Sequence, residues 1–376
     1  MRILFLDQYS EMGGAQKGLL DLLPAIEERG WIAHAAIPGQ GPLVEHLRSK
    51  NVGVVEIPCG PYQSGAKSAA DALRFSLDVP RQMQIIGEMM ERDRFDLVYV
   101  NGPRLLVAAA MAVRRRAPVL FHAHSHIPEG SQMRLARWSL RRMNAAVVAC
   151  SKSVAPSSYA GKVSVIPNGC GDLGYRERRF DTWRIGVIGR ISPEKGQLEF
   201  LEAAAMLARE FPAARFVICG APLFAVQDYF ECVQSEAQGL PVEFLGWRED
   251  IDSVFGDLDL LAVPSLQEGM GRVLVEAFSA GVPVVAFPVG GIPEVVTDRE
   301  TGFLAAEVTP EALASRIREI MATDPEALRN IAANARRAWE RLYTLDAYRK
   351  KVTDLMQQVV SDRQAAAGTS APRQHI

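Results

Sequence analysis

Cysteine is scarce in this sequence and forms no recognisable metal-binding or disulfide pattern. The 376 residues include five cysteines, and none of them belongs to a Cys-x-x-Cys pair or a Cys/His cluster. This excludes a small disulfide-stabilised scaffold and disfavours a zinc site. Free cysteines are typical of a reducing compartment, so we expect a cytoplasmic protein.

Long apolar runs and a charge excess are also missing. The first apolar run, residues 3–6, is too short for the apolar core of a signal peptide. The longest stretch without a charged residue, 277–293, contains three prolines and does not resemble a membrane helix of ~20 apolar residues. The 42 basic and 44 acidic residues nearly cancel, which argues against a nucleic-acid partner. We expect a protein that is soluble or held to a membrane by its surface.

The sequence does contain a regular alternation of short apolar runs with helical patterns. In the N-terminal half, runs that predict strands occupy residues 3–6, 32–37, 52–57, 97–100, 119–121, 145–149 and 163–166. They lack polar alternation, as is typical of strands covered on both faces. Strands that alternate with helices predict an α/β fold with parallel sheets.

A glycine-rich segment at residues 168–174, followed by a charged stretch at 176–181, interrupts this alternation and predicts a linker. A second series of strands and helices follows it. We therefore predict two domains, residues 1–172 and 182–342, with ligands bound between them beyond the carboxyl ends of the strands. Residues 363–376 are predicted to form a disordered tail.

One strand-to-helix turn in the second domain is suited to binding a diphosphate. Gly269 and Gly271 let the backbone approach a ligand, and the N–H groups of the following helix attract an anion. Glu276 lies further along that helix, where it can accept hydrogen bonds from ribose hydroxyls, and Glu268 lies at the mouth of the turn. An ordinary turn with a solvated glutamate explains this spacing equally well.

A second strand-to-helix turn, residues 189–196, carries two cations at the same edge of the predicted sheet. Arg190 offers a planar fork for phosphate oxygens, and Lys195 offers a point charge. Either residue taken alone is most simply a surface cation. Together with a helix N-terminus, however, they can neutralise a departing diphosphate without a metal.

These segments together resemble the donor site of family 4 retaining glycosyltransferases. The resemblance is carried by the Glu268-x7-Glu276 spacing, by the Gly-Gly-Ile-Pro-Glu segment at residues 290–294 and by the turn at 189–196. The segment Val-Ile-Pro-Asn-Gly at residues 165–169 also matches the family pattern.

The resemblance covers roughly residues 1–360 and implies a GT-B fold. In that fold two Rossmann-like domains with parallel sheets face each other. A C-terminal helix, expected here at about residues 343–362, crosses back to the first domain.

The resemblance also implies roles for individual residues of the donor site. Arg190 and Lys195 would hold the diphosphate, and Glu276 would bind the ribose. Glu268 would contact the hydroxyls of the donor sugar and is one of two catalytic candidates. The backbone that would bind the sugar and the phosphates belongs to Gly269, Met270, Gly271, Arg272 and Val273. A weaker match suggests that Arg248 lines the nucleotide base.

The first domain is expected to bind the acceptor. The resemblance places the Gly13-Gly14 loop at the acceptor and the donor phosphates, so we assign Gly13 to acceptor binding and Gly14 to donor binding. His124 follows a strand and is the second catalytic candidate, facing the reacting sugar, although a core histidine is the simpler interpretation. Asn101 ends a neighbouring strand and is assigned to the acceptor.

Histidines recur at every second position at residues 122, 124 and 126. Three imidazoles can bind zinc only with favourable backbone geometry and an open coordination position. We therefore predict that the protein has no metal site.

Arginines cluster on one predicted helix of the first domain, residues 132–143. Arg134, Arg137 and Arg141 share a face by helical spacing. A basic amphipathic helix can lie on an anionic membrane, although a solvated helix face is an equally good interpretation. We hypothesise a peripheral enzyme at the inner face of the plasma membrane, with a sugar or lipid-linked sugar as its acceptor.

Taken together, these features predict a metal-independent retaining glycosyltransferase without a cofactor. It would move a hexosyl unit from a UDP-sugar or GDP-sugar to an acceptor hydroxyl in polysaccharide or glycolipid biosynthesis. The alternatives are a nucleotide-sugar epimerase or sugar phosphorylase on the same fold, and a non-catalytic protein that binds nucleotide sugars.

Overall fold

A computed structural model describes residues 1–60, 69–223 and 227–369 of the chain. They form two compact units, each a parallel sheet with flanking helices. The N-terminal unit comprises Met1–Ile166 together with the C-terminal segment from Tyr348, and the C-terminal unit comprises Pro167–Ala347.

The sheet of the N-terminal unit is parallel throughout its described strands. These strands are β1 (Arg2–Asp7), β2 (Ile32–Ile37), β3 (Gly53–Glu56), β4 (Leu97–Asn101), β5 (Val119–Ala123), β6 (Ala146–Ala149) and β7 (Val163–Val165). Their order in the sheet is β3-β2-β1-β4-β5-β6-β7. Every residue of β4, β5 and β6 is buried, which explains why their sequences lack polar alternation.

Helices follow most of these strands. The helices are α1 (Gly14–Glu28), α2 (Pro42–Ser49), α3 (Ala69–Arg92), α4 (Leu106–Ala112) and α5 (Ser131–Met143). The connection that follows β1 leads to β2 on one side of the sheet, and the connection that follows β4 leads to β5 on the other side. The two connections therefore turn away from each other. Such a switch point leaves a crevice at the carboxyl ends of the two strands, where ligands bind in open parallel sheets.

The C-terminal unit repeats this plan with a smaller sheet. Its strands are β8 (Arg184–Ile188), β9 (Arg215–Cys219), β10 (Val242–Gly246), β11 (Leu260–Val263), β12 (Val284–Ala286) and β13 (Phe303–Leu304). Its helices are α6 (Gln197–Glu210), α7 (Gln227–Glu236), α8 (Ile251–Asp257), α9 (Arg272–Ala280), α10 (Ile292–Val295), α11 (Pro310–Met321) and α12 (Pro325–Leu342). The order β10-β9-β8-β11-β12-β13 places the switch point between β8 and β11.

Residues 167–172, which we predicted in the first domain, lie in the C-terminal unit. The backbone N–H of Asn168 donates to the sulfur of Met270 at 3.1 Å, and that of Cys170 donates to the carbonyl of Tyr343 at 3.0 Å. These bonds tie the segment to its second-unit neighbours before the glycine-rich stretch ends.

The last helix, α13 (Leu345–Thr369), returns the chain to the N-terminal unit. The Tyr348 hydroxyl donates to the carbonyl of Gly18 on α1 at 3.2 Å, and Arg349 Nε donates to the carbonyl of Asp21 at 2.7 Å. The helix continues past residue 362, so the prediction of a disordered tail is corrected for residues 363–369. Residues 370–376 of the predicted tail lie outside the described residues.

The helices in the described ranges are too short or too polar to cross a lipid bilayer.

Candidate functional site

The two phosphate-binding motifs predicted from the sequence meet at the switch point of the C-terminal unit. One follows β8 and the other follows β11, and these strands are neighbours in the sheet. The backbone N–H of Leu266 donates to the carbonyl of Glu194 at 3.0 Å, which joins the two loops directly. The geometry therefore brings Lys195 into contact with Glu268, and Arg190 lies in the same turn as Lys195.

Glycine is required where these loops approach each other. Gly196 has φ of +70°, and a Cβ there would lie 1.8 Å from the carbonyl oxygen of Pro264. Gly290 has φ of +54°, and a Cβ there would lie 1.9 Å from the carbonyl oxygen of Glu268. Both distances are impossible for a side chain, so the close packing of backbone on backbone depends on these two glycines.

Lys195 and Glu268 form an ion pair in which both side chains are mostly covered. Their side chains are 26% and 12% exposed, and the hydroxyl of Ser265 also donates to Glu268 Oε2 at 3.3 Å. Glu268 is therefore not a solvated loop residue. A partly exposed ammonium held by one carboxylate is a group that can exchange that partner for a phosphate.

Arg190 lies in the same turn and forms an ion pair with Glu194. Its backbone is fixed by Gln197, a residue that the sequence analysis missed. The fully buried amide of Gln197 donates to the carbonyl of Arg190 at 2.9 Å and accepts from the backbone N–H of Ser192 at 3.3 Å. A glutamine at the first position of a helix, able to reach back to the preceding turn, was the available signal.

The helix that follows the second motif, α9, begins at a glycine in the left-handed region, Gly271 with φ of +83°. Gly271 occupies the N-cap position and has no side chain with which to cap the helix. The positive end of its dipole, at the first-turn amides of Arg272 and Val273, is therefore suited to an anion. The preceding Gly269 and Met270 complete the turn that leads into it.

Glu276 of α9 is nearly buried, and Oε1 accepts a hydrogen bond from Arg272 Nε at 3.1 Å. This i,i+4 pair neutralises the carboxylate where we predicted a ribose contact. The side chain of Met270 is buried and its sulfur contacts Asn168, so only the backbone of Met270 is available to a ligand in this turn.

Arg248 contacts none of these residues through a hydrogen bond or ion pair recorded in the described part of the chain. It follows β10, and β9 separates that strand from β8. The side chain is 44% exposed and contacts Asp250 at 3.5 Å.

In the N-terminal unit, three hydrogen-bonded polar side chains lie at the switch point between β1 and β4; Asp7 and Asn101 are buried and His124 is partly buried. Asn101 Nδ2 donates to Asp7 Oδ2 at 2.5 Å, and Asn101 Oδ1 lies 2.7 Å from His124 Nε2. Asn101 and His124 were predicted from the sequence, whereas Asp7 was not. Its position as the last residue of the first buried strand was the signal.

Burial has strong effects on the titratable groups of this network. It raises the pKa of Asp7 to about 6, although hydrogen bonds from Asn101 and Gln16 oppose that shift. Burial and the neighbouring His124 hold the pKa of His122 well below its ordinary value. His122 therefore stays neutral at physiological pH, with its ring 3.7 Å from that of His124.

The three alternating histidines do not converge as metal ligands. His122 Nδ1 is hydrogen-bonded to the hydroxyl of Tyr99, whereas His126 is exposed on a loop beyond the end of β5. Among the described residues, no group of three His, Cys, Asp or Glu side chains can hold a metal ion.

The predicted glycine loop opens α1. Gly13 is the residue before the helix, with extended backbone, and its carbonyl accepts from the N–H of Lys17 at 2.9 Å. Gly14 is the first helical residue. Both lie in the connection that follows β1, at the edge of the sheet where Asp7 and Asn101 lie.

The arginines of α5 line one surface groove of about 610 Å³. The lining residues are Arg134, Arg137, Trp138, Arg141 and Arg142. The indole of Trp138 is 43% exposed, and the Arg142 guanidinium lies 5.7 Å from its ring centre.

Comparison with known proteins identifies the family. Residues 13–169 match the family described as "Glycosyl transferase 4-like domain", and residues 177–338 match "Glycosyl transferases group 1". The chain belongs to the group 1 glycosyltransferases, and the predicted family is confirmed.

Curated relatives include D-inositol 3-phosphate glycosyltransferases of two species. That of Corynebacterium urealyticum is 33% identical over 168 residues, which are 42% of this chain and 40% of the relative. That of Corynebacterium glutamicum is 27% identical over 346 residues, 78% and 79% of the two chains. The match thus spans about two fifths of the length of the C. urealyticum relative.

Among solved structures, HepE of Anabaena in complex with UDP and glucose is similar over nearly its whole length. The TM-score is 0.79 at 26% identity, and the match covers 95% of this chain and 99% of HepE. HepE has also been solved with UDP-glucose, at the same TM-score. The fold is GT-B, as the resemblance implied, with a Rossmann-like parallel sheet in each unit.

Proposed function

We propose that this protein is a retaining glycosyltransferase that moves a hexosyl unit from a nucleotide diphosphate sugar to an acceptor hydroxyl. The observation that carries the proposal is that the turn holding Arg190 and Lys195 meets the loop before α9 at the switch point of the C-terminal unit, where Lys195 pairs with Glu268. In the structure these cations are paired with Glu194 and Glu268. A diphosphate would replace the two carboxylates as their partner.

The donor that we favour is a UDP-sugar rather than a GDP-sugar. Support comes from the likeness to Anabaena HepE, whose crystal structures contain UDP, UDP with glucose, and UDP-glucose. The nearly buried Glu276 is the proposed partner of the ribose hydroxyls, and Arg272 would hold its carboxylate in place.

The proposed chemistry replaces the anomeric diphosphate by an acceptor hydroxyl through an oxocarbenium-like transition state. Arg190 and Lys195 stabilise the negative charge that develops on the departing diphosphate, and the dipole of α9 adds to this effect. Glu268 positions the sugar hydroxyls. On the acceptor side we assign Gly13, Asn101 and His124, of which Asn101 acts by holding the imidazole of His124.

The central experiment measures donor binding and product formation by variants of the two cations. Arg190→Ala and Lys195→Ala are expected to weaken UDP binding by about tenfold to a hundredfold, because each removes a charge-assisted contact. The matched control is Arg184→Ala, on the same strand as the Arg190 turn but at the opposite end, paired with Glu243 at 2.6 Å. If both site variants keep the wild-type transfer rate, the phosphate assignment is wrong.

The product also decides between the proposal and its alternatives. A glycosylated acceptor with release of UDP supports a transferase. An epimerised donor or a sugar phosphate would identify the other enzymes expected on this fold. A donor that binds and stays intact with every acceptor tested would indicate a non-catalytic binding protein.

We also propose that transfer requires no metal ion. The two cations and the helix dipole supply positive charge at the place where a divalent cation would otherwise act. Activity is therefore expected to be unchanged after exhaustive treatment with EDTA. A loss of activity that Mg²⁺ or Mn²⁺ restores would contradict this part of the proposal.

The acceptor that we propose is a lipid-linked sugar, reached from an anionic membrane at the inner face of the plasma membrane. The support is the arginine groove of α5, which the half-exposed Trp138 also lines, because Lys and Arg side chains near an anionic surface each contribute ~1 kcal/mol. The family's glycan chemistry is consistent with polysaccharide or glycolipid biosynthesis.

Co-sedimentation with vesicles tests the membrane proposal. The triple variant Arg134→Gln, Arg137→Gln and Arg141→Gln should lose binding to anionic vesicles. A charge-matched control removes three exposed arginines of the C-terminal unit, Arg209, Arg337 and Arg341. Equal recovery of the wild-type protein with anionic and neutral vesicles would contradict a membrane surface.

A further inference from the structure

The carboxylate of Asp7 sets the direction of the hydrogen bonds that link Asp7, Asn101 and His124 at the switch point of the N-terminal unit. The side chain of Asp7 is completely buried, and its oxygens accept hydrogen bonds from Gln16 Nε2 at 2.8 Å, from the Tyr9 N–H at 3.0 Å and from Asn101 Nδ2. A carboxylate can only accept hydrogen bonds. Asn101 must therefore turn its amide nitrogen to Asp7 and its amide oxygen to His124.

This orientation dictates where the proton of His124 lies. The amide oxygen of Asn101 is an acceptor 2.7 Å from His124 Nε2, so that nitrogen must carry the hydrogen. The neutral imidazole is then the Nε2–H tautomer, with the lone pair on Nδ1. Which nitrogen carries the proton decides whether a histidine accepts or donates a proton at its other nitrogen.

Asp7 is the carboxylate of this network. It interacts electrostatically with Cys59 after β3 and with Tyr99 of β4; Cys59 in turn interacts with Asp78 of α3 and Arg104 after β4, and Tyr99 is hydrogen-bonded to His122 of β5. Burial keeps Cys59, Tyr99 and His122 in their neutral forms. Because burial raises the pKa of Asp7 to about 6, its carboxylate is ionised at pH 8.

We propose that Asp7 is a positioning residue that fixes the tautomer of His124 through the side-chain amide of Asn101. The effect on catalysis rests on the proposed transferase function, whereas the tautomer is a property of the free protein. The two can therefore fail separately.

The sharpest test replaces Asp7 by asparagine. Gln16 and Tyr9 both donate to Oδ1, so the amide oxygen of the new residue takes that place and its amide nitrogen faces Asn101. Asn101 then has to give up its long 3.4 Å contact with the Ala15 carbonyl in order to turn its oxygen to residue 7 and its nitrogen to His124. We expect the neutral His124 of Asp7→Asn to reverse to the Nδ1–H tautomer.

Imidazole ¹⁵N chemical shifts at pH 8, assigned with a His124→Gln variant, measure this directly. The wild-type protein should show Nε2–H, and Asp7→Asn should show Nδ1–H. The control is Asp96→Asn, where the carboxylate accepts from the Arg2 N–H outside the network. An unchanged tautomer in Asp7→Asn, or Nδ1–H in the wild-type protein, overturns the inference. If Asp7→Asn does not fold, Asn101→Ala is used instead and should give a mixture of tautomers.

A kinetic test separates positioning from a structural role. Asp7→Asn is expected to lower kcat by about tenfold or more with little change in the KM of the donor. In a His124→Gln background, the same substitution should have no further effect, because Asp7 acts only through that imidazole. Independent, multiplicative losses in the double variant would contradict the inference. If no variant or wild-type protein transfers sugar, the proposed function fails and the ¹⁵N measurement still decides this inference.

Discussion

Lys195 and Glu268 form an ion pair between two loops that lie 73 positions apart in the chain. One loop follows β8 and the other follows β11, so the pair exists because those strands are neighbours at a switch point. The ion pair thus holds the ammonium at the switch point. The cost is that a carboxylate competes with the phosphate for it.

This competition leads to opposite predictions for the two partners of the ion pair. Lys195→Ala should weaken UDP binding by about tenfold to a hundredfold. Glu268→Gln should leave UDP binding unchanged or tighten it, because the ammonium loses its competitor, while transfer from UDP-sugar falls. Calorimetric titration with UDP and a transfer assay measure the two effects. If Glu268→Gln weakens UDP binding as much as Lys195→Ala, the two residues do not have the separate roles assigned here.

Gly290 is predicted to be irreplaceable for packing rather than for chemistry. Alanine at this position would put its Cβ 1.9 Å from the Glu268 carbonyl oxygen at a φ of +54°, so the loop must move. We expect Gly290→Ala to destabilise the C-terminal unit by about 2 kcal/mol or more and to weaken UDP binding. Thermal unfolding with and without UDP measures both effects.

The matched control for that substitution is Gly87→Ala. Gly87 lies in α3, where a Cβ would meet nothing within 4 Å. Alanine there should be neutral or stabilise the protein by about 0.5–1 kcal/mol. Equal losses of stability in the two variants would show that the close approach at Gly290 is not the cause.

Gln197 is predicted to hold the Arg190 turn in its binding conformation. Gln197→Ala removes the hydrogen bonds to the Arg190 carbonyl and the Ser192 N–H. Each of these backbone groups then lacks a hydrogen bond that offset the cost of removing it from water. We expect a loss of about 1–3 kcal/mol of stability and weaker binding of UDP. The control is the exposed Gln234, whose replacement by alanine should change neither. Unchanged UDP affinity in Gln197→Ala would show that the turn keeps its shape without this residue.

The sequence predicted the architecture because its signals are local. Buried strands such as β5 show as unbroken apolar runs, and the glycines at 269 and 271 mark the turn before α9. The family motifs then predicted which residues form the donor site. The end of α13 was harder to place, since the alanine-rich residues after 362 continue a helix without an apolar face that would mark where it stops.

Gln197 and Asp7 could not be found in the same way. Gln197 acts through hydrogen bonds to the backbone of its own preceding turn, and any polar residue at a helix start fits the pattern. Asp7 acts through Asn101, 94 positions away, and only the pairing of β1 with β4 brings them together. The contact of Asp7 depends on tertiary structure, which composition and periodicity do not encode.

The last prediction concerns the dependence of stability on pH. Because burial raises the pKa of Asp7 from 3.8 to about 6, the folded protein binds this proton more tightly than the unfolded chain. The stability contributed by protonated Asp7 is complete below about pH 4 and is lost as the pH rises through 6. At pH 8 this loss amounts to about 3 kcal/mol, at 1.36 kcal/mol for each pH unit of difference.

Asparagine at position 7 cannot ionise and should abolish this loss. The stability of Asp7→Asn relative to the wild-type protein is therefore expected to improve by about 2–3 kcal/mol between pH 4 and pH 8. Denaturant unfolding of both proteins across this range measures the difference, with Asp96→Asn as the control for a carboxylate that hydrogen-bonds a backbone N–H at the sheet's other edge. If the difference in stability between the two proteins stays constant with pH, Asp7 titrates alike in the folded and unfolded chains. Burial would then not raise the pKa of its carboxyl group.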